Sequence, residues 1–157
     1  MKKISYIENI EEWKRGFLFY HEVKVRFSET DMFGHLNNTI PFTYFEDARV
    51  EYFKSKGFMQ KWVNIKHHSI PVVADLQCDF LKQVYFDEVI KVFVKVQSVG
   101  RSSVDIHYMG VNNKEDICFT GRGTIVQISK QTGKGLSWSD EMKDQLQHDA
   151  FVVVNQQ

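Results

Sequence analysis

"RFSETDMFGHLNNTIPF", residues 26–42, is where this chain changes its period. Upstream, Phe19, Val23, Val25 and Phe27 fall at every second position, interrupted at His21, while Glu22, Lys24 and Arg26 alternate with them. That pattern is a strand with one face buried. Downstream, Phe42, Phe45, Ala48, Arg49, Tyr52 and Phe53 recur at steps of three and four, the spacing of a helix laid on a core. Pro41 suits a first helical turn, Asn38 or Thr39 suits the N-cap, and Lys54, Lys56 and Gly57 close the pattern. The expected helix is roughly 24 Å long at 1.5 Å per residue. Between the two lie an acid, a glycine, a histidine and two asparagines. A junction is polar simply because loops face water, or because it holds a reaction centre.

Outward from the junction, strands dominate. Residues 7–14 read as a short helical lead-in, and residues 58–68 as a short helix or loop. Val72, Ala74, Leu76, Cys78 and Phe80 alternate with Val73, Asp75, Gln77, Asp79 and Leu81, and Ile90, Val92, Val94 and Val96 form one face of a further strand. Val104, Ile106 and Tyr108 mark another, "NNKED" at residues 112–116 reads as a hairpin turn, and its partner strand covers about 117–130. Gly121 and Gly123 in that strand suggest a bend or a close approach. A terminal helix is expected from about Ser139. The order is strand, one long helix, four strands: an α+β arrangement in which an antiparallel sheet of about five strands is covered by one helix.

Composition narrows the function. A chain of 157 residues, 43% hydrophobic with 13 phenylalanines, supports one domain with a substantial core. Lysine plus arginine equals aspartate plus glutamate at 20 each, so the net charge is zero, which argues against nucleic acid as partner. Zero charge is tolerable where a chain assembles into a defined oligomer. No apolar run is long enough to span a bilayer, and "MKKISYIENIEEWKRG" lacks the apolar core of a secretion signal. Cys78 and Cys118 have no metal-type spacing, so reduced thiols and a cytoplasmic address are expected, without membrane partner. His67 and His68 lack companion ligands and read as a solvated turn, and no metal is expected.

The stretch from Val25 to Phe58 resembles the hot-dog-fold acyl-CoA thioesterases, of the 4-hydroxybenzoyl-CoA thioesterase type. The resemblance is carried by Asp31, Gly34, His35-Leu36-Asn37-Asn38, Tyr44-Phe45-Glu46 and Arg49, and the strand layout agrees over about residues 22–130. It implies a hot-dog fold, with the sheet wrapped around a long central helix, the core at about 20–130, and an N-terminal extension to which no function attaches. It also implies hydrolysis of an acyl-CoA thioester at Asp31, as nucleophile or general base. The Asn38 amide, seven residues on, would polarise the carbonyl at the helix start, where unpaired N–H groups and the dipole favour an oxyanion.

Other readings stand beside this one. Taken alone, an aspartate in a turn is an Asx-turn residue or a solvated acid. His35 reads as a hydrogen bonder that fixes the loop before it reads as a proton donor. Asn37 holds the loop through backbone bonds, which is also how it would shape the site. Phe42 is core first, and any acyl-pocket role belongs to this end of the helix, as does the substrate contact implied for Gly34. Glu46 and Arg49 read as a surface pair at i,i+3. Arg101, Ser102 and Ser103, in "GRSS" between two strands, are suited to the phosphates of coenzyme A or read as an ordinary polar turn. No separate cofactor is implied, because the CoA belongs to the substrate. The asparagine pair stands where the 4-hydroxybenzoyl enzyme has apolar residues, so the chain looks more like the general acyl-CoA branch. A non-catalytic module that binds acyl thioesters is the alternative, ahead of a hydratase or dehydratase on the same fold. The resemblance further implies a homodimer or homotetramer with the site at a subunit boundary.

Overall fold

An alternating strand must bury one face and a period-3.6 helix one stripe, and here the two meet. A computed structural model describes residues 2–156, with side chains through residue 150. Its elements are α1 (Ile10–Arg15), β1 (Phe19–Lys24), a 3-10 turn (Phe27–Glu29), α2 (Ile40–Ser55), α3 (Phe58–Trp62), β2 (Ser69–Phe80), β3 (Val89–Val99), β4 (Ser103–Val111), β5 (Ile117–Ser129) and α4 (Asp140–Gln156). The strands form one antiparallel sheet in the order β1-β3-β4-β5-β2, so β1 and β2 are its edges. This is the expected α+β hot-dog arrangement.

α2 lies on one face, and its stripe of Tyr44, Phe45, Ala48, Tyr52 and Phe53 is buried against Ile90, Val92, Val94, Val96, Ile106 and Tyr108. Phe45 stacks on Tyr108 with ring centroids 4.5 Å apart. A close approach explains Gly121: a Cβ there would meet the Phe45 ring at 2.4 Å. Pro41 occupies the first helical turn and Thr39 is the N-cap, but the capping bond comes from Asn37, whose Oδ1 accepts from the Thr39 N–H at 3.0 Å. Gly57, at φ +78°, ends the helix as expected.

Three readings need correction. β1 stops at Lys24 rather than continuing to Phe27, because the chain turns into the 3-10 segment. Arg49 is no surface residue. It is 7% exposed and donates from Nη1 to the Tyr108 hydroxyl at 3.1 Å, with Glu46 only at 3.9 Å. His67 is not simply solvated, since its Nε2 meets the Ser69 Oγ at 2.8 Å, and Ser69 in turn donates to Gln127.

The N-terminal extension covers the opposite face of the sheet. Trp13 and Phe17 pack on Met109, with Phe93, Val111 and Ile117 around them. The Trp13 indole N–H donates to His107 Nδ1 at 2.8 Å, which leaves the imidazole proton on Nε2, facing Asp105 at 3.1 Å. Arg122 donates to the same Asp105 at 2.7 Å, and Lys95 donates to the Trp13 carbonyl at 2.6 Å. Burial lowers the pKa of His107 and pulls that of Lys95 down to about 8. No helix among the described residues is long and apolar enough to cross a membrane.

Candidate active site

The chain leaves β1 tied to the start of β3, because the Val25 N–H donates to the Glu88 carbonyl at 2.9 Å. The 3-10 turn then drops it into the loop that precedes α2. Asp31 organises that loop. Its Oδ1 accepts from the N–H groups of Phe33 at 2.8 Å and His35 at 3.1 Å. Its own N–H donates to the His35 carbonyl at 2.7 Å, and the Gly34 N–H donates to the Asp31 carbonyl at 3.0 Å. The turn closes only because Gly34 adopts φ +80°, a region that side chains disfavour. Among the described residues nothing donates to Asp31 Oδ2. The Asx-turn and an available carboxylate oxygen therefore coexist in one residue.

Beyond the turn, Leu36 donates to the Val84 carbonyl at 2.7 Å and Asn37 to the Glu29 carbonyl at 2.8 Å, fastening the loop to the segment between β2 and β3 and to the 3-10 turn. His35 pairs through its backbone with Tyr85, and its ring stands edge-on to the Tyr85 ring at 5.1 Å. The imidazole itself makes no hydrogen bond among the described residues, so the loop-fixing expected of that ring is done by the backbone. Asn38 is exposed, and its N–H meets no acceptor among the described residues.

Asp31, His35, Leu36 and Asn38 line one side of a cavity of about 430 Å³ whose other walls include Phe80, Lys82, Val84 and Phe119. The loop thus brings Asp31, His35 and Asn38 to one space, with a mostly apolar wall opposite. Lys82 is engaged by Asp116 at 2.5 Å, a contact that raises its pKa. Met32 and Phe33, at the tip of the Asp31 turn, are 90% and 76% exposed.

Gly34, Asn37 and Phe42 lie off the cavity wall. Gly34 shapes the turn, Asn37 holds the start of α2, and Phe42 stands edge-on to Phe45 at 6.2 Å. Arg101, Ser102 and Ser103 lie at the far end of the sheet. β3 begins beside the Asp31 loop and reaches their turn only after eleven residues, on the order of 35 Å at 3.3 Å per residue. There Arg101 Nη1 donates to Ser137 at 2.8 Å, and the Trp138 indole donates to the Ser103 carbonyl at 3.1 Å. Sequence reasoning missed Phe80 and Phe119, which reach the cavity through the pairing of β2 with β5, and Lys82 and Val84, which reach it on the segment between β2 and β3; none carries a local motif. It also passed over Glu29, although that residue stands two positions before Asp31.

Comparison with known proteins places the chain in a family and matches its fold. A family model described as Thioesterase-like superfamily matches residues 25–146. An uncharacterized protein of Bacillus subtilis, YsmA, is 47% identical over 149 residues, covering 94% of this chain and 99% of its own length. The structure of a DHNA-CoA thioesterase from Staphylococcus aureus is 27% identical, with a TM-score of 0.73 over 87% of this chain and 90% of that one. A Thermus thermophilus thioesterase, solved with coenzyme A and zinc, is 25% identical, with a TM-score of 0.72 over 87% of this chain and 97% of its own.

Proposed function

The chain belongs to the thioesterase-like superfamily, and on that footing we propose that it hydrolyses an acyl-CoA thioester to a free acid and CoA, with Asp31 as the reacting carboxylate. One observation carries the reading. Asp31 has one oxygen held by two N–H groups and the other without a donor among the described residues, and it shares a cavity with Asn38, whose N–H likewise meets no acceptor among them. The held oxygen fixes the rotamer, and the free one is left for chemistry. A thioester carbonyl placed between them would have an attacking or base group on one side. On the other side it would have a donor at the start of α2, where the helix dipole favours negative charge.

Two routes fit these residues. In one, the free Asp31 oxygen attacks the carbonyl carbon, the C–S bond breaks as the thiolate leaves, and water hydrolyses the resulting anhydride. In the other, that oxygen takes a proton from water, whose oxygen attacks the carbon; the thiolate leaves and is protonated. Both yield a carboxylate and free CoA thiol. Single-turnover hydrolysis in oxygen-18 water separates them, since only the first puts label into Asp31. His35 is close enough to the cavity to serve as a proton shuttle, but nothing in its contacts demands that role.

Assembly completes the reading. β2 is a twelve-residue edge strand with Val73 and Phe80 about half exposed, and a free edge of that length invites pairing. A copy paired antiparallel through β2 would continue the sheet. It would also lay the partner's Ser69 end beside this chain's Phe80 end, and the 100–103 turn belongs to the Ser69 end. A homodimer therefore reconciles Arg101 as a phosphate contact with its distance from Asp31 in one chain, and pairs of dimers remain compatible with it. The general acyl-CoA class fits better than the 4-hydroxybenzoyl substrate, because Asn37 and Asn38 make the loop polar where that type is apolar.

The non-catalytic module keeps one observation in its favour, since the Asx-turn by itself gives Asp31 a structural task. A screen of acyl-CoA chain lengths with free thiol as readout decides between them. Turnover is expected. Tight acyl-CoA binding without thiol release would establish the module instead.

A further inference from the structure

Asp31 and Asn38 belong to a loop and a helix start, so something must hold the two at a fixed separation. The contacts that do so converge on Glu29. Its Oε1 accepts the Tyr44 hydroxyl at 2.8 Å and the Arg26 N–H at 2.8 Å, while its carbonyl accepts the Asn37 N–H at 2.8 Å. One residue thus joins the exit from β1, the chain immediately before Asn38, and the second turn of α2. Thr30, between Glu29 and Asp31, is fixed in turn by its hydroxyl bond to the Phe27 carbonyl at 2.7 Å. Tyr44 is 2% exposed and seated in the α2 core stripe, so its end of the bond is anchored by the core.

We propose that Glu29 and Tyr44 are positioning residues whose hydrogen bond sets the Asp31 carboxylate relative to the Asn38 amide. The proposal rests on the thioesterase reading. Glu29 acts from behind the loop: it lines a separate groove with Arg26, Tyr44 and Asp47, and is absent from the walls of the Asp31 cavity. Burial and the neighbouring Glu29 raise the Tyr44 pKa, so the hydroxyl keeps its proton and donates throughout the working pH range. Without that donor, the described residues join the 3-10 turn to the start of α2 through the bond from the Asn37 N–H to the Glu29 carbonyl. A displacement of about 1 Å at a reacting group costs on the order of 100-fold in rate.

The test compares Tyr44→Phe, Glu29→Ala, Glu29→Gln and Asp31→Asn in one thioesterase assay, with unfolding followed by circular dichroism. Tyr44→Phe keeps the ring in the core, and Glu29→Gln keeps an Oε1 acceptor for both donors. Tyr44→Phe and Glu29→Ala are expected to lower kcat by roughly 10- to 100-fold with KM within about twofold, and Glu29→Gln to restore most of the loss. Amide hydrogen exchange at Phe33 and His35, which donate to Asp31, should accelerate in Tyr44→Phe and Glu29→Ala and remain slow in Glu29→Gln; this readout needs no turnover. Unchanged kcat and unchanged exchange in Tyr44→Phe, with only a lower Tm, would reduce the pair to a structural contact and overturn the proposal. Glu29→Gln as inactive as Glu29→Ala would overturn it differently, by requiring the Glu29 charge itself. A fully active Asp31→Asn defeats Asp31 as the reacting carboxylate and a wild type without turnover defeats the thioesterase reading, whereas an inactive Asp31→Asn beside a fully active Tyr44→Phe defeats the positioning proposal alone.

Discussion

Gly121→Ala should damage stability and activity together, through one side chain. The added Cβ would lie 2.4 Å from the Phe45 ring and 2.9 Å from the Gln77 carbonyl, where ordinary contact begins at 3.4 Å. Phe45 would have to retreat by about 1 Å to recover normal contact. It has nowhere to go: it is 0% exposed, stacked on Tyr108 at 4.5 Å and flanked by Phe119 at 5.8 Å. β5 cannot yield either, being paired on both sides by β4 and β2. Overpacking of this kind costs about 1–3 kcal/mol, or a Tm lower by roughly 3–10 °C for a domain of this size. Phe45 stands on α2, five residues beyond its start at Ile40, so a shift of the helix there should displace the Asn38 end and lower kcat as well. Urea unfolding with an unchanged m-value measures the first effect, and a thiol-release assay the second. Adding Phe45→Leu relieves the clash, so the double variant should be more stable than the two single losses predict, by about 0.5–3 kcal/mol of coupling. Strict additivity would refute the reasoning, because the contact would then not be the source of the cost.

Arg49→Met should lower stability by about 1–3 kcal/mol, since it leaves the buried Tyr108 hydroxyl without its partner, and Tyr108→Phe in the same chain should recover part of that in denaturant unfolding. Burial lowers the His107 pKa, so as pH falls below about 6.5 the unfolded imidazole takes up its proton first and stability drops until the folded pKa is passed. A plot of Tm against pH for wild type and His107→Gln should differ in slope through that window, and parallel curves would contradict the assignment. Arg101→Ala should raise KM for an acyl-CoA with little change in kcat, and leave the corresponding acyl-pantetheine, which lacks the nucleotide phosphates, unaffected.

The architecture was legible because it rests on periodicity. The alternation of Ile90, Val92, Val94 and Val96 and the three-four spacing from Phe45 to Phe53 are the physical demand of burying one face, and each of these residues is buried. What escaped was tertiary. β1 ends early because the chain must turn to present the Asp31 loop, which no alternation announces. Arg49 sits in the same spacing as the aromatic residues and was still read as exposed, because charge usually stays in water; its Tyr108 partner is 59 residues away. The first residues gave no motif, since Trp13 finds its meaning only against His107 and Lys95 on strands far along the chain. At the site, the local cluster of Asp31, His35 and Asn38 was visible as a motif, whereas the wall opposite, from Phe80 to Phe119, exists only once β2 and β5 pair. The separation of Arg101 from Asp31 was equally invisible, because it depends on which way β3 runs.

The most direct test of the central claim is acyl-CoA hydrolysis by Asp31→Asn. An asparagine Oδ1 can still accept from Phe33 and His35, as the carboxylate does, so the turn, the Tm and the affinity for CoA should be retained. The remaining amide group can neither attack a carbonyl nor take a proton from water, and kcat should fall by about 10²–10⁴-fold, the range expected for removing a group that carries the proton or the attack. A folded Asp31→Asn variant that releases CoA thiol at the wild-type kcat would contradict the account.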